Sequence, residues 1–128
     1  MRMKSAEGSF SSRHLDRNPG LTVFPIGLVQ LENLASLRLA GTGLTLLPKN
    51  LTLLQQLNTL DASYCQLHTV PSLDTMPHLN TLKLAHNKLT VPPKLWHPER
   101  FRTIEWSGNP FCELEEHRNT RPCIPDNA

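Results

Sequence analysis

Aromatic residues are scarce in this 128-residue chain: four Phe, two Trp and a single Tyr, 5% of the whole. A bias of charge is missing too, since 13 Lys and Arg face 11 Asp and Glu for a net +2. That balance lacks the basic excess of a nucleic-acid binder and the self-repulsion of an acidic tail. No apolar run approaches the roughly 20 residues needed to span a bilayer, so membrane insertion is not expected. The first 14 residues also lack the short apolar stretch of a secretory signal. Three cysteines are an odd number and too few to stand in for a core, which makes a reducing compartment the expectation. The expected location is therefore cytoplasmic, with an extracellular one as the alternative if a leader is absent from this sequence. At this length one folded domain fits, burying about 60–70% of the surface of the unfolded chain.

Leucine is what the chain has in excess, 23 of 128 residues, and its placement is periodic. Rows of 22 to 24 residues align four segments: LASLRLAGTGL (34–44), LNTLDASYCQL (57–67), LNTLKLAHNKL (79–89) and FRTIEWSGNPF (101–111). All fit the template L-x-x-L-x-L-x-x-N-x-L with tolerable substitutions, and His14-Leu15-Asp16-Arg17-Asn18 begins an irregular earlier copy with Arg13 at a leucine position. Within Leu37-Arg38-Leu39, Leu60-Asp61-Ala62 and Leu82-Lys83-Leu84 the apolar residues alternate, the period of a short strand with one buried face. Strands repeated in one direction with intervening crossovers must pair in parallel. Between them run Pro25-Leu28-Leu31-Leu34, Pro48-Leu51-Leu54-Leu57, Pro71-Leu73-Met76-Leu79 and Pro92-Leu95-Pro98-Phe101. A spacing of three suits short 3₁₀ turns, each with every third residue facing inward.

On these motifs the chain resembles the leucine-rich repeat family, whose repeats of 20–29 residues carry the same eleven-residue signature. The resemblance implies an α/β solenoid of about five coils, with a parallel sheet on the concave face and 3₁₀ or extended turns on the convex face. The expected layout is a disordered segment over residues 1–12, repeats over 13–111 and a C-terminal cap and tail over 112–128. One coil cannot bury its leucines alone, so stability arises from stacking. Removal of Leu60 or Leu82 is expected to cost about 2–5 kcal/mol.

Candidate functional residues follow from the template. Thr42, Cys65, Asn87 and Asn109 share the turn position after the strand, where a polar side chain can serve backbone groups that are otherwise buried without partners. Cys65 is read as a turn residue, since no His, Asp or Asn is fixed beside it by motif. Outward strand positions give one row of Ser36, Thr59, Thr81 and Thr103, a second of Arg38, Asp61, Lys83 and Glu105, and a third of Ala40, Ser63, Ala85 and Ser107. The second row alternates in sign, as expected of a salt-bridge ladder, and also lies where solenoids present their binding surface. Tyr64 and His86 stand beyond it, between Gly41 and Gly108. Tyr64 is either an interface anchor or a ring covering its turn. Trp96 falls outside the inward row, either as a second contact or packed on Pro92 or Pro98, whereas Trp106 takes a core leucine position.

The stretch Asn109-Pro110-Phe111-Cys112, followed by Cys123, resembles a shortened C-terminal flank of extracellular family members. A disulfide between Cys112 and Cys123 is open on that resemblance. Zinc on Cys112, His117 and Cys123 would have three donors where structural sites use four, so no metal is expected. Glu115-Glu116 reads as solvated charge, and no triad, phosphate loop or metal helix is present. No catalytic residue and no cofactor are expected. The resemblance implies a non-enzymatic module that binds a protein partner through the concave face as adaptor or scaffold, alone or within a larger complex. A regulatory or targeting subunit of an enzyme, or a secreted recognition protein, are the alternatives, and nucleic acid is disfavoured by the mixed signs of the second row.

Overall fold

The alternation of the short apolar triplets is realised as strands of three residues. The computed structural model describes residues 12–125. In it β1 (Ser12–His14), β2 (Ser36–Arg38), β3 (Thr59–Asp61), β4 (Thr81–Lys83) and β5 (Thr103–Glu105) form one parallel sheet in chain order. Leu37, Leu60, Leu82 and Ile104 stand side by side in register, and Arg13 heads their row. The first coil thus pairs normally although a half-buried Arg replaces its leucine. Of the segment expected to be disordered, residues 1–11 lie outside the described residues, and Ser12 opens β1.

Leu37, Leu39, Leu60, Ala62, Leu82 and Leu84 are fully buried, and the return limbs meet them with Leu28, Leu51, Leu54, Leu73, Met76 and Leu79. Trp106 belongs to the same core. Short 3₁₀ helices occupy Ile26–Gln30 and Lys49–Leu53, each entered from a proline in extended geometry that has no N–H to leave unpaired. The next return limb forms turns without a 3₁₀ helix. Its proline stands two residues before the buried leucine (Pro71, Leu73), against three in Pro48 and Leu51, so the extra residue of the helical turn is missing. The guanidinium of Arg100 compensates from the following coil. It donates to the carbonyl of Leu79 at 3.0 Å and approaches those of Pro77 and Leu73 at 3.5 Å. The last limb departs from the inward spacing: Pro98 is exposed, and Leu95 and Phe101 are only half-buried. Among the described residues no further coil stacks on this limb, and the cap turns against β5 instead.

The cap contains 3₁₀ turns at Pro110–Glu113 and Arg121–Cys123. The Trp106 N–H, which would face solvent at the end of the sheet, donates to the Pro122 carbonyl at 2.8 Å. Cys112 and Cys123 are disulfide-bonded with Cα atoms 5.5 Å apart, the option left open by the sequence. Phe111, buried beneath, meets Trp106 and His117 edge-on. The bridge closes a loop of eleven residues' separation and constrains the unfolded chain by up to about 3 kcal/mol.

The turn residues form a ladder along the solenoid. Asn109 donates through Nδ2 to the carbonyls of Leu84 (2.9 Å) and Trp106 (2.8 Å) and accepts the Leu89 N–H at 3.1 Å. One coil earlier Asn87 repeats the arrangement with Ala62, Leu84 and Leu67. Cys65 keeps the link to the preceding coil through Sγ, 3.1 Å from the Leu39 carbonyl, and lies 3.1 Å from Thr42 Oγ1. Asn18, the equivalent residue of the first coil, donates to its own Leu15 carbonyl at 2.7 Å. Replacing Asn87 with Ala leaves the buried Leu67 N–H without its acceptor, at a cost of about 1–3 kcal/mol. Thermal melting of Asn87→Ala should show a Tm lower by on the order of 10 °C. Asn87→Cys, which restores the chemistry found at Cys65, should lose less; equal losses would refute the role assigned to the ladder.

Candidate functional site

The concave rows expected from the sequence are in register, and β1 extends them by Ser12 and His14. Ser36, Thr59, Thr81 and Thr103 are half-exposed. Thr59 and Thr81 turn their hydroxyls onto the preceding Asn58 and Asn80 side chains, at 2.8 and 3.0 Å. The second row differs from the expected salt-bridge ladder. Arg38 places Nε 3.6 Å from Asp16 rather than on Asp61. Asp61 is engaged within its own coil, its Oδ1 accepting from the Ser63 N–H at 3.1 Å and hydroxyl at 2.8 Å. A carboxylate two residues from a turn finds those donors without ordering a long Arg or Lys side chain, and an exposed pair would return only about 0–1 kcal/mol. Lys83 and Glu105 are half-exposed members of the row.

The third row is a floor rather than an outward row. Ser63, Ala85 and Ser107 are buried and Ala40 is half-buried, because the chain curls inward there to begin its turn. The next residue of every coil takes a positive φ: Arg17 (60°), Gly41 (77°), Tyr64 (56°), His86 (58°) and Gly108 (78°). Left-handed backbone suits Gly and is strained for bulky residues. Tyr64 and His86 nevertheless occupy it and stack, their ring centroids 4.5 Å apart and 11° from parallel. The His86 ring reaches over Gly108, where a Cβ would come within 2.5 Å of its Nδ1. Tyr64 is 63% exposed, so its ring does not merely cover the turn. A cavity of about 370 Å³ opens beside His86 toward Glu113, Arg118 and Asn119 of the cap.

Trp96 is not packed on Pro92 or Pro98. At 79% exposure its ring stands in solvent while its backbone N–H donates to Asp74 at 2.9 Å. Nearby, the acidity of Glu99 is strengthened, its pKa lowered first by a bond to its own backbone and then by His97 at 3.2 Å. Both groups lie on the convex side. Among the described residues no set of three His, Cys, Asp or Glu is arranged to hold a metal ion, and no helix is long and apolar enough to cross a membrane.

Arg17 and Asp16 join the site although the sequence rows omitted them. The signal was present: Gly41 and Gly108 share one template position, which marks it as left-handed in every coil and so brings Arg17 into line with Tyr64.

No protein-family model matches the chain. Among solved structures it is similar to a leucine-rich repeat protein of Leptospira interrogans, with a TM-score of 0.67 and 30% identity over 81% of this chain. This chain is a leucine-rich repeat solenoid. It spans 28% of the length of that Leptospira protein. The leucine-rich repeat architecture is in general an interaction scaffold, presenting an extended surface to partner proteins rather than a set of reacting groups.

Two opposing effects meet at Tyr64. Relief of left-handed strain favours Asn by about 1–2 kcal/mol, and loss of the stacked ring opposes it by about 0.5–1.5 kcal/mol. Tyr64→Asn should therefore melt within a few degrees of wild type, measured by circular dichroism. A large fall in Tm would make the ring a structural element instead of an exposed contact.

Proposed function

We propose that this leucine-rich repeat domain is a non-enzymatic module that binds a protein partner on its concave face, as an adaptor or scaffold. The observation that carries the reading is the continuous surface of half-exposed polar side chains from Ser36 and Arg38 to Thr103 and Glu105, bordered by the exposed ring of Tyr64. Small buried residues behind the rows leave a shallow floor on which a partner can seat large side chains. Asp61 is already satisfied by Ser63 and Arg38 lies against Asp16, so these two charges of the row are not paired with each other.

A second reading, recognition outside the cytoplasm, is favoured by the disulfide between Cys112 and Cys123. Such bonds persist in oxidising compartments and are rare where glutathione keeps thiols reduced. It exchanges the adaptor's setting for a surface or secreted one and leaves the binding face the same.

The test is crosslinking in native extract, wild type against a folded Arg38→Glu, Tyr64→Ala, Lys83→Glu variant. A partner captured by the wild type and lost by the variant is the expected outcome. Equal capture by both would move the contact to Trp96 or the cap. Alkylating the protein before reduction separates the settings: one reactive thiol after unfolding accords with the oxidised cap, and three with the cytoplasm.

A further inference from the structure

In each coil the N–H of the left-handed residue is served by the coil that follows. Arg17 donates to the Ala40 carbonyl at 2.7 Å, Gly41 to that of Ser63 at 2.9 Å, Tyr64 to Ala85 at 2.8 Å and His86 to Ser107 at 2.8 Å. Gly108 is the fifth of this series, and among the described residues its N–H has no acceptor. The cap supplies only the preceding rung, the Pro122 carbonyl that takes the Trp106 N–H. The cavity of about 370 Å³ is bounded by Gly108 on one side and by the cap on the other. It therefore occupies the place from which a following coil would present the next carbonyl.

A second donor without a partner lines the same cavity. Ser107 is 4% exposed and its hydroxyl makes no hydrogen bond among the described residues, whereas the equivalent Ser63 hydroxyl is held by Asp61 at 2.8 Å. A buried donor left unpaired costs free energy that a bound acceptor recovers. Arg118 and Asn119 enter the lining from the cap, and Arg118 has no ion pair among the described residues. A backbone N–H, a hydroxyl, a carboxamide and a guanidinium all donate, and donors bind a charged acceptor most strongly. A neutral carbonyl would satisfy Gly108 and leave the guanidinium unmatched. Glu113, the one acidic residue of the lining, disfavours a doubly charged group such as phosphate. A single negative charge on paired oxygens fits both conditions.

We infer that this cavity is a carboxylate-binding site at the end of the concave face. The carboxylate accepts from the Gly108 N–H and the Ser107 hydroxyl and lies against Arg118. It belongs to the bound protein, as an acidic side chain or a chain terminus. This inference rests on the concave-face reading and adds to it the group recognised at one end.

The test is NMR titration of the ¹⁵N-labelled full chain, disulfide intact, followed at the Gly108 amide. The probes are N-acetylglycine, with a terminal carboxylate, N-acetylaspartate amide, with a side-chain one, inorganic phosphate, and N-acetylglycinamide as the neutral control. A carboxylate probe should move the Gly108 amide proton downfield and saturate, and the tighter of the two identifies the source. The apparent Kd should rise about fivefold or more in Arg118→Gln and fall about twofold in Glu113→Gln. Both side chains are exposed, so neither change threatens the fold. A Gly108 amide that no carboxylate moves would overturn the site, as would an equal response to the neutral control, a preference for phosphate, or unchanged affinity in Arg118→Gln. The variant of Arg38, Tyr64 and Lys83 changes no residue lining the cavity. Loss of the partner by that variant without any Gly108 response refutes the site alone, and a Gly108 response with equal capture refutes the concave-face reading alone.

Discussion

Every coil of this solenoid must reverse direction immediately after its strand, and the reversal buries peptide groups that neither the sheet nor water can reach. The fold depends on satisfying them. Asn does so with two donor hydrogens and one acceptor oxygen, so a single side chain joins its own coil to the one before it. At Asn87 and Asn109 that capacity is used in full. The leucines supply the free energy of burial, but they are interchangeable apolar volume. The side chains at the turn determine where each strand ends, and with it which residues face the floor and which face the left-handed column.

The repeat made most of this architecture legible in advance. A buried face of alternating leucines has one register that keeps Leu37, Leu60 and Leu82 inside, so the order and pairing of the strands followed from spacing alone. The left-handed column was harder to see because its five residues, Arg17, Gly41, Tyr64, His86 and Gly108, share no side-chain chemistry. Their common property is a backbone angle, and only the two glycines advertise it. Individual ionic partners were also hidden. Asp61 stands beside Arg38 and Lys83 in register, yet hydroxyl and amide donors two residues away hold it at smaller entropic cost. Pattern identifies neighbours across a sheet; it does not weigh competing donors.

The cap illustrates a different limit. Phe111 continues the core, as its leucine position in the template implied. The pairing of Trp106 with Pro122 depends on the chain doubling back after β5, and no periodicity extends there. The disulfide fixes that return and closes an edge that would otherwise offer free peptide groups to another strand.

The ladder is also unequal along its length, which gives the solenoid a direction. Each of its C-terminal members ties its coil to the one before with two bonds and braces its own with a third. The middle member has one thiol proton to share, and among the described residues Asn18 bonds to carbonyls of its own coil, those of Leu15 and Asp16. In a chain whose units are coupled to nearest neighbours, opening begins where coupling is weakest. Amide exchange would accordingly run as a wave from the first coil inward, with the capped end the last to let go. Arg17 and Gly41 belong to the pliable half, and the stacked rings of Tyr64 and His86 lie nearer the firm one. A ligand spanning that boundary would slow the wave, and the coils it tightens would include some that it never touches.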